Sequence, residues 1–282
     1  MPWKLYIDSR KRVSGARGDS HSDFAIALPY PITVQGKAYI DVCVLTNSFY
    51  TIRTNENDRI FLDELSTNTK RIATLAEGQY NVFELKDALV NALNSNKLIT
   101  GQYSVTYLVT GNKFQISIVN PAVNDEFRIW QEDYLKTNFI GWFASFPYLD
   151  ANDMQSANSA CGFLQGTTID GNSTTSATAP NAPDVQAYKQ LFLRSNLGGG
   201  SSESLGPNGE SDIVRRIVCG NVPQNAVIHD MHANQLDCVT INGNPELNQL
   251  WFQLIDLNGK IVNTHGHPIS FSIIFQNVDE YN

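Results

Sequence analysis

Charge is scarce in this chain: Asp, Glu, Lys and Arg make up 17% of its 282 residues, where an ordinary soluble domain carries about a quarter. The charges sum to a formal −8. That balance excludes a protein whose main task is to coat nucleic acid, because neutralising phosphates takes clustered Lys and Arg. Cysteine is also thin. Cys43, Cys161, Cys219 and Cys238 are widely spaced with no C-x-x-C, which argues against a disulfide framework, and Cys43 and Cys219 sit in apolar strand patterns as small buried hydrophobes would. No apolar window approaches the length of a membrane span, and no apolar core of seven or more residues follows the N-terminal charges. A soluble protein made inside the cell without a secretory signal is therefore expected.

Catalytic motifs are missing as well. There is no Gly-x-Ser-x-Gly, and five scattered histidines among many serines pair too easily by chance to indicate nucleophilic catalysis. The run Leu197-Gly-Gly-Gly-Ser-Ser202 lacks the Gly-Lys-Ser/Thr end of a phosphate cradle and reads as a loop. Asp63-Glu64 and Asp279-Glu280 are adjacent carboxylates, not pairs set across a cleft, and read as solvated. His265-Gly266-His267 is the nearest approach to a metal site, since two imidazoles at alternate strand positions face one side. No acid follows until Asp279, however, so these two remain weak candidates. His229 and His232 fall where a strand gives way to a loop and read as surface residues. Neither an enzyme nor a cofactor is expected.

The sequence does contain strands. Phe24, Ile26 and Leu28 alternate with Asp23, Ala25 and Ala27, the period of a half-buried strand, which Pro29 and Pro31 are expected to end. Lys37 to Leu45 has too few polar breaks for a surface strand and should be covered on both faces. Further strand patterns lie at 188–194, 213–219, 226–230, 237–241, 247–257 and 269–275, making eight. Eight strands suit a jelly roll of two packed sheets.

Between the two groups the pattern changes. A short strand is expected at 59–63, and Asn81 with Glu84 forms a capping box before Val82, Leu85, Leu89 and Leu93 at helical spacing. A hairpin of 103–107 and 114–118 turns at Gly111-Asn112, with a strand near 127–130 expected to join it and a short helix at 134–140 stopped by Gly141. Residues 147–185 are rich in Ser, Thr, Asn, Ala and Pro and read as a long exposed loop. The predicted fold is all-β dominated: a single eight-stranded jelly-roll sandwich, 23–53 plus 186–282, discontinuous in sequence. Residues 54–185 form an α+β insertion domain within it. Residues 1–22 read as a basic N-terminal arm, because Lys4, Arg10, Lys11, Arg12 and Arg17 face Asp8 alone up to residue 17. That segment is about +4 by count and the remainder about −12.

Tyr6-Ile7-Asp8-Ser9-Arg10, then Asp23-Phe-Ala-Ile-Ala-Leu-Pro29, then Asn47-Ser-Phe-Tyr50 resembles the opening of the single-jelly-roll penton, or vertex minor-capsid, proteins of virophages, Polinton-like viruses and related large double-stranded DNA viruses. Leu191 to Asn196, Ile213 to Val218, Leu254 to Gly259 and Phe271 to Phe275 are similar to that family's later strands, so the resemblance spans nearly the whole chain. It implies a structural protein of the virion. A homopentamer would close the fivefold vertices of an icosahedral capsid and contact the major capsid protein. The arm (Lys4, Arg10, Lys11, Arg12) would reach a minor cement protein, an inner membrane or the genome, and an outward insertion would be open to a host receptor. Arg17-Gly18-Asp19 is the tripeptide integrins recognise, which adenovirus vertex proteins carry on an exposed loop. Here it lies between the arm and the first expected strand. The alternative is a carbohydrate- or receptor-binding jelly roll using Trp3, Trp130, Trp142 and Trp251 as platforms, although each lies in an apolar pattern that suits core packing.

Overall fold

A computed structural model describes residues 3–15, 17–34, 36–67, 69–131, 156–163, 169–171, 176–198, 206, 209–220, 222–231, 238–241 and 246–276. In chain order the strands are β1 (Trp3–Asp8), β2 (Asp23–Thr33), β3 (Gly36–Thr46), β4 (Arg59–Glu64) and β5 (Thr69–Thr74). Helix α1 (Val82–Asn94) precedes β6 (Gln102–Leu108), β7 (Lys113–Val119) and β8 (Phe127–Ile129). A short helix α2 (Asn158–Cys161) leads to β9 (Ile169–Gly171) and β10 (Ala177–Thr178). The last group is β11 (Gln190–Ser195), β12 (Ile213–Val218), β13 (Val227–Asp230), β14 (Val239–Ile241), β15 (Glu246–Ile255) and β16 (Ile269–Gln276). Chain contacts divide these into two compact units, Met1–Phe49 with Tyr188–Asn282, and Tyr50–Ala187.

The first unit is the jelly-roll sandwich. One sheet runs β1-β16-β3-β13, with β14 also on β3; the other runs β12-β11-β15-β2. All the pairings are antiparallel. Strand β3 is central in its sheet, with β16 along one side and β13 and β14 along the other. The expected cover on both faces is not found: Ala38, Ile40, Cys43 and Leu45 are buried on one face, while Lys37 is exposed and Val42 and Val44 are half-buried on the other. Between the sheets Phe24, Phe252 and Phe271 interlock with centroids 5.6 and 4.8 Å apart. Each such ring contributes roughly 1.5–3 kcal/mol by leaving water.

The eight expected strands are present, and β1 adds a ninth among the described residues. The first residues are therefore not a separate arm: Trp3 to Asp8 pair residue for residue with Phe275 to Ser270. Trp3, Leu5 and Ile7 alternate with Lys4, Tyr6 and Asp8, a period-two signal. The prolines do not end β2 either. They lie in an irregular stretch of an edge strand, where Pro is tolerated because no ladder bond is asked of it.

The second unit holds two sheets, β5-β4-β8-β9 and β10-β7-β6, around α1. The capping box forms as expected: Asn81 accepts from the Phe83 and Glu84 backbone N–H groups at 2.9 and 3.0 Å, and Glu84 accepts from the Asn81 N–H at 2.9 Å. Leu85, Leu89 and Leu93 face the core with Ala92. Asn81→Ala should lower the stability of this unit by about 1 kcal/mol, read as a shift in its denaturant midpoint.

Three expectations are corrected here. Strand β8 joins β4 and β9 and not the hairpin, whose β7 edge is taken by β10. The supposed exposed loop contributes Ala157, Ala160, Cys161, Phe163, Ala177 and Ala179 to the core, where small side chains fill narrow space and backbone pairing needs no apolar side chain. Glu64, read as solvated, is fully buried. The expected helix at 134–140, Trp142, His232, residues 199–205 of the glycine-rich segment and Asp279-Glu280 lie outside the described residues.

Candidate interaction surface

The N-terminal cations do not form a free positive patch. Lys4 donates to Asp41 at 2.5 Å on β3, and Arg12 to Asp19 at 2.9 Å. Arg10 folds back on Asp8, its Nε at 2.9 Å from Oδ1, and Arg17 reaches Asp23 at 3.0 Å. Each of the four thus has its own carboxylate, three of which lie beyond residue 17. The pairing shows in the titration of the groups. The hydrogen bond from Arg10 holds the Asp8 carboxyl below its usual range, that from Arg12 does the same for Asp19, and Asp41 raises Lys4. Lys11 is exposed with no ion pair among the described residues.

Arg17, Gly18 and Asp19 form a strap over the outer face of the four-stranded sheet. The Arg17 guanidinium lies 4.0 Å from the centre of the Trp251 ring while bonding Asp23. Asp19 accepts from Arg12 and from the Ser14 hydroxyl at 3.2 Å. Gly18 packs so closely that a Cβ there would stand 2.8 Å from Asp23 Oδ2. Both charged ends of the tripeptide are engaged within the chain, so an integrin would have to displace these contacts.

His265-Gly266-His267 is a tight turn before β16, not strand. His265 and Gly266 have φ of 50° and 80°, and the His267 N–H donates to Thr264 O at 3.0 Å. Alternate strand positions are therefore not available to the two imidazoles, and among the described residues no three His, Cys, Asp or Glu gather as a metal site. His229 is exposed on β13.

A junction that sequence reasoning missed ties the N-terminal strand to the sandwich. The fully buried Ser9 Oγ accepts from the Ile269 N–H at 2.9 Å and is 2.8 Å from His21 Nδ1. Burial and then the Arg12 guanidinium hold His21 below its usual pKa; Asp8 opposes this, while Arg10 and His267 add to it. A histidine depressed in the folded state binds its proton more readily when unfolded. Its contribution is full above the unfolded pKa of about 6.5 and is lost as pH falls through the lower folded value. We expect the hydrogen-exchange protection of the Ile269 amide to drop on acidification below about pH 6.5, and His21→Asn to remove that dependence.

Along β16, Ser270 and Ser272 form the floor of a groove of 380 Å³ between Lys4, Tyr6 and Asp8 on β1 and Val42 and Val44 on β3. Tyr6 on its wall is 76% exposed.

These features define a class by architecture: a single jelly roll, discontinuous in sequence, with an α+β unit between its third and fourth strands. No protein-family model and no curated sequence matches the chain. Among solved structures, the crystal structure of the selenomethionine-labelled mavirus penton protein shares the fold. It has a TM-score of 0.53 and 12% identity, over 99% of this chain and 100% of that one.

Proposed function

We propose that the chain is a structural capsid protein that assembles as a homopentamer, closes the fivefold vertices of an icosahedral virion and contacts the major capsid protein there. The observation that carries this reading is the end-to-end match to a penton protein, which takes in both units and not the jelly roll alone. A subunit of this kind needs different patches to meet in a closed ring, and it needs no catalytic constellation. A minor cement protein, the genome or an inner membrane would meet the Lys11 side of the N-terminal turn, where that exposed cation has no ion pair among the described residues. The 50–187 unit is the part proposed to meet a host receptor. The sugar-binding alternative has less support, because Trp130 is buried, Trp3 stacks on Phe275 at 4.1 Å and Trp251 lies beneath Arg17.

The test is native mass measurement of the purified chain together with electron microscopy of particles formed on co-expression with the major capsid protein of its virus. Pentameric mass or density at the fivefold vertices supports the reading. A chain that stays monomeric and enters no shell overturns it.

A further inference from the structure

Leu28-Pro29-Tyr30-Pro31 stands out from the edge of its sheet. Ladder pairing runs from Gln249 opposite Ala27 to Leu247 opposite Ile32, so four residues of β2 face Asn248 alone. Proline has no N–H to leave unpaired and fixes its own φ, so Pro29 and Pro31 hold the bulge in shape without ladder bonds. Between them Tyr30 is 69% exposed. A solvated aromatic ring on a preorganised edge loses little conformational freedom when it is covered, which is the profile of an interface anchor.

A site of matching chemistry exists on the outward face of the other sheet. The groove along β16 has apolar sides from Val42, Val44 and Tyr6 and charged groups at Lys4 and Asp8. On its floor Ser270 is half-buried and the buried Ser272 hydroxyl already donates to Asp41, leaving the Ser270 hydroxyl as the polar partner. Tyrosine needs that combination, apolar contact for the ring and a polar partner for its hydroxyl. Charge agrees with the pairing: Glu246, opposite Thr33 beside the bulge, is an exposed carboxylate with no ion pair among the described residues, and Lys11, beyond the Asp8 end of the groove, is an exposed cation in the same condition.

We propose that Pro29-Tyr30-Pro31 of one copy seats in the β16 groove of the next. This rests on the reading of the chain as a self-assembling capsid subunit, and names the surface by which the ring closes. No residue of the bulge lines the groove. The two patches are therefore distinct, and the contact is head-to-tail, the type that generates rings.

Oxidation of the full chain carrying Tyr30→Cys together with Val44→Cys should give a ladder of disulfide-linked species ending at five chains on a non-reducing gel. Neither single variant should do so. Tyr30→Ala should keep its far-ultraviolet circular dichroism and denaturant midpoint while weakening subunit association roughly tenfold or more. Cross-linking no greater than in the single variants, with Tyr30→Ala assembling like the unaltered chain, overturns the proposal. So does a Tyr30→Cys single variant that links to itself, since that signals a twofold contact. Unaltered chains that still form pentamers in those cases leave the capsid reading standing and discard this surface. Unaltered chains that neither associate nor enter shells discard both.

Discussion

Replacing Arg215 with Met should destabilise the jelly-roll unit by about 3–5 kcal/mol, a large part of the stability of an ordinary domain. Arg215 on β12 and Asp230 on β13 meet across the sandwich interior, with both Nε and Nη2 3.0 Å from Asp230 Oδ2 and each side chain 3% exposed. The variant takes from the buried Asp230 carboxylate the guanidinium that pairs with it. Two charges brought out of water gain back their desolvation cost chiefly from each other, so losing one partner is far worse than losing both. Arg215→Met with Asp230→Leu should accordingly recover most of the loss, and the double-mutant cycle isolates the coupling.

Cysteine labelling reports this unit specifically. Cys43 lies opposite Asp230 in the ladder, and burial followed by the Asp230 charge raises its thiol pKa; the same causes push Cys219 up to about 12. Both are inert until the unit opens. Arg215→Met should speed their labelling by on the order of a hundredfold or more, with Cys161 in the other unit little changed. An Arg215→Met protein costing under about 1 kcal/mol would show that the pair behaves like a surface ion pair.

What could be read in advance was local. The central place of β3 and the Asn81 capping box each rest on no more than a dozen consecutive residues, and both formed as expected; the cover expected over the second face of β3 did not. Strand β1 was missed although its alternation was present, because its cations suggested a solvated arm. Their partners were out of view: Asp41 lies 37 residues beyond Lys4. The His21–Ser9–Ile269 junction spans 260 positions between Ser9 and Ile269, and no spacing rule finds such a contact. The bulge was half legible. Two prolines two apart suggested the end of the strand; they do interrupt its regular pairing, but β2 runs on to Thr33 because it is an edge.

The second large effect lies in the other unit, where Arg71→Met should cost about 3–5 kcal/mol and release Cys161. The Arg71 guanidinium bonds Glu64 Oε1 at 3.0 Å and donates at 2.7 Å to both Leu93 O and Ser95 O at the end of α1. Those carbonyls have no partner within the helix, and a cation there also complements the negative end of its dipole. Glu64, with no exposed surface, further accepts from the Leu98 N–H at 2.7 Å and the Tyr103 hydroxyl at 3.2 Å. Burial, reinforced by the Glu64 charge, raises the Tyr103 pKa well above that of a free phenol, so Tyr103 remains a donor at any physiological pH. One ion pair thus joins β4, β5, β6 and the end of α1. Because burial has pushed the Cys161 thiol up to about 12, it labels only when this unit opens. Arg71→Met should accelerate that labelling by on the order of a hundredfold or more and leave Cys43 protected. Tyr103→Phe removes one bond to the same carboxylate and should cost about 1.5–3 kcal/mol. If Arg71→Met exposed Cys43 as readily as Cys161, the two units would open together, and the ion pair would be holding the whole chain.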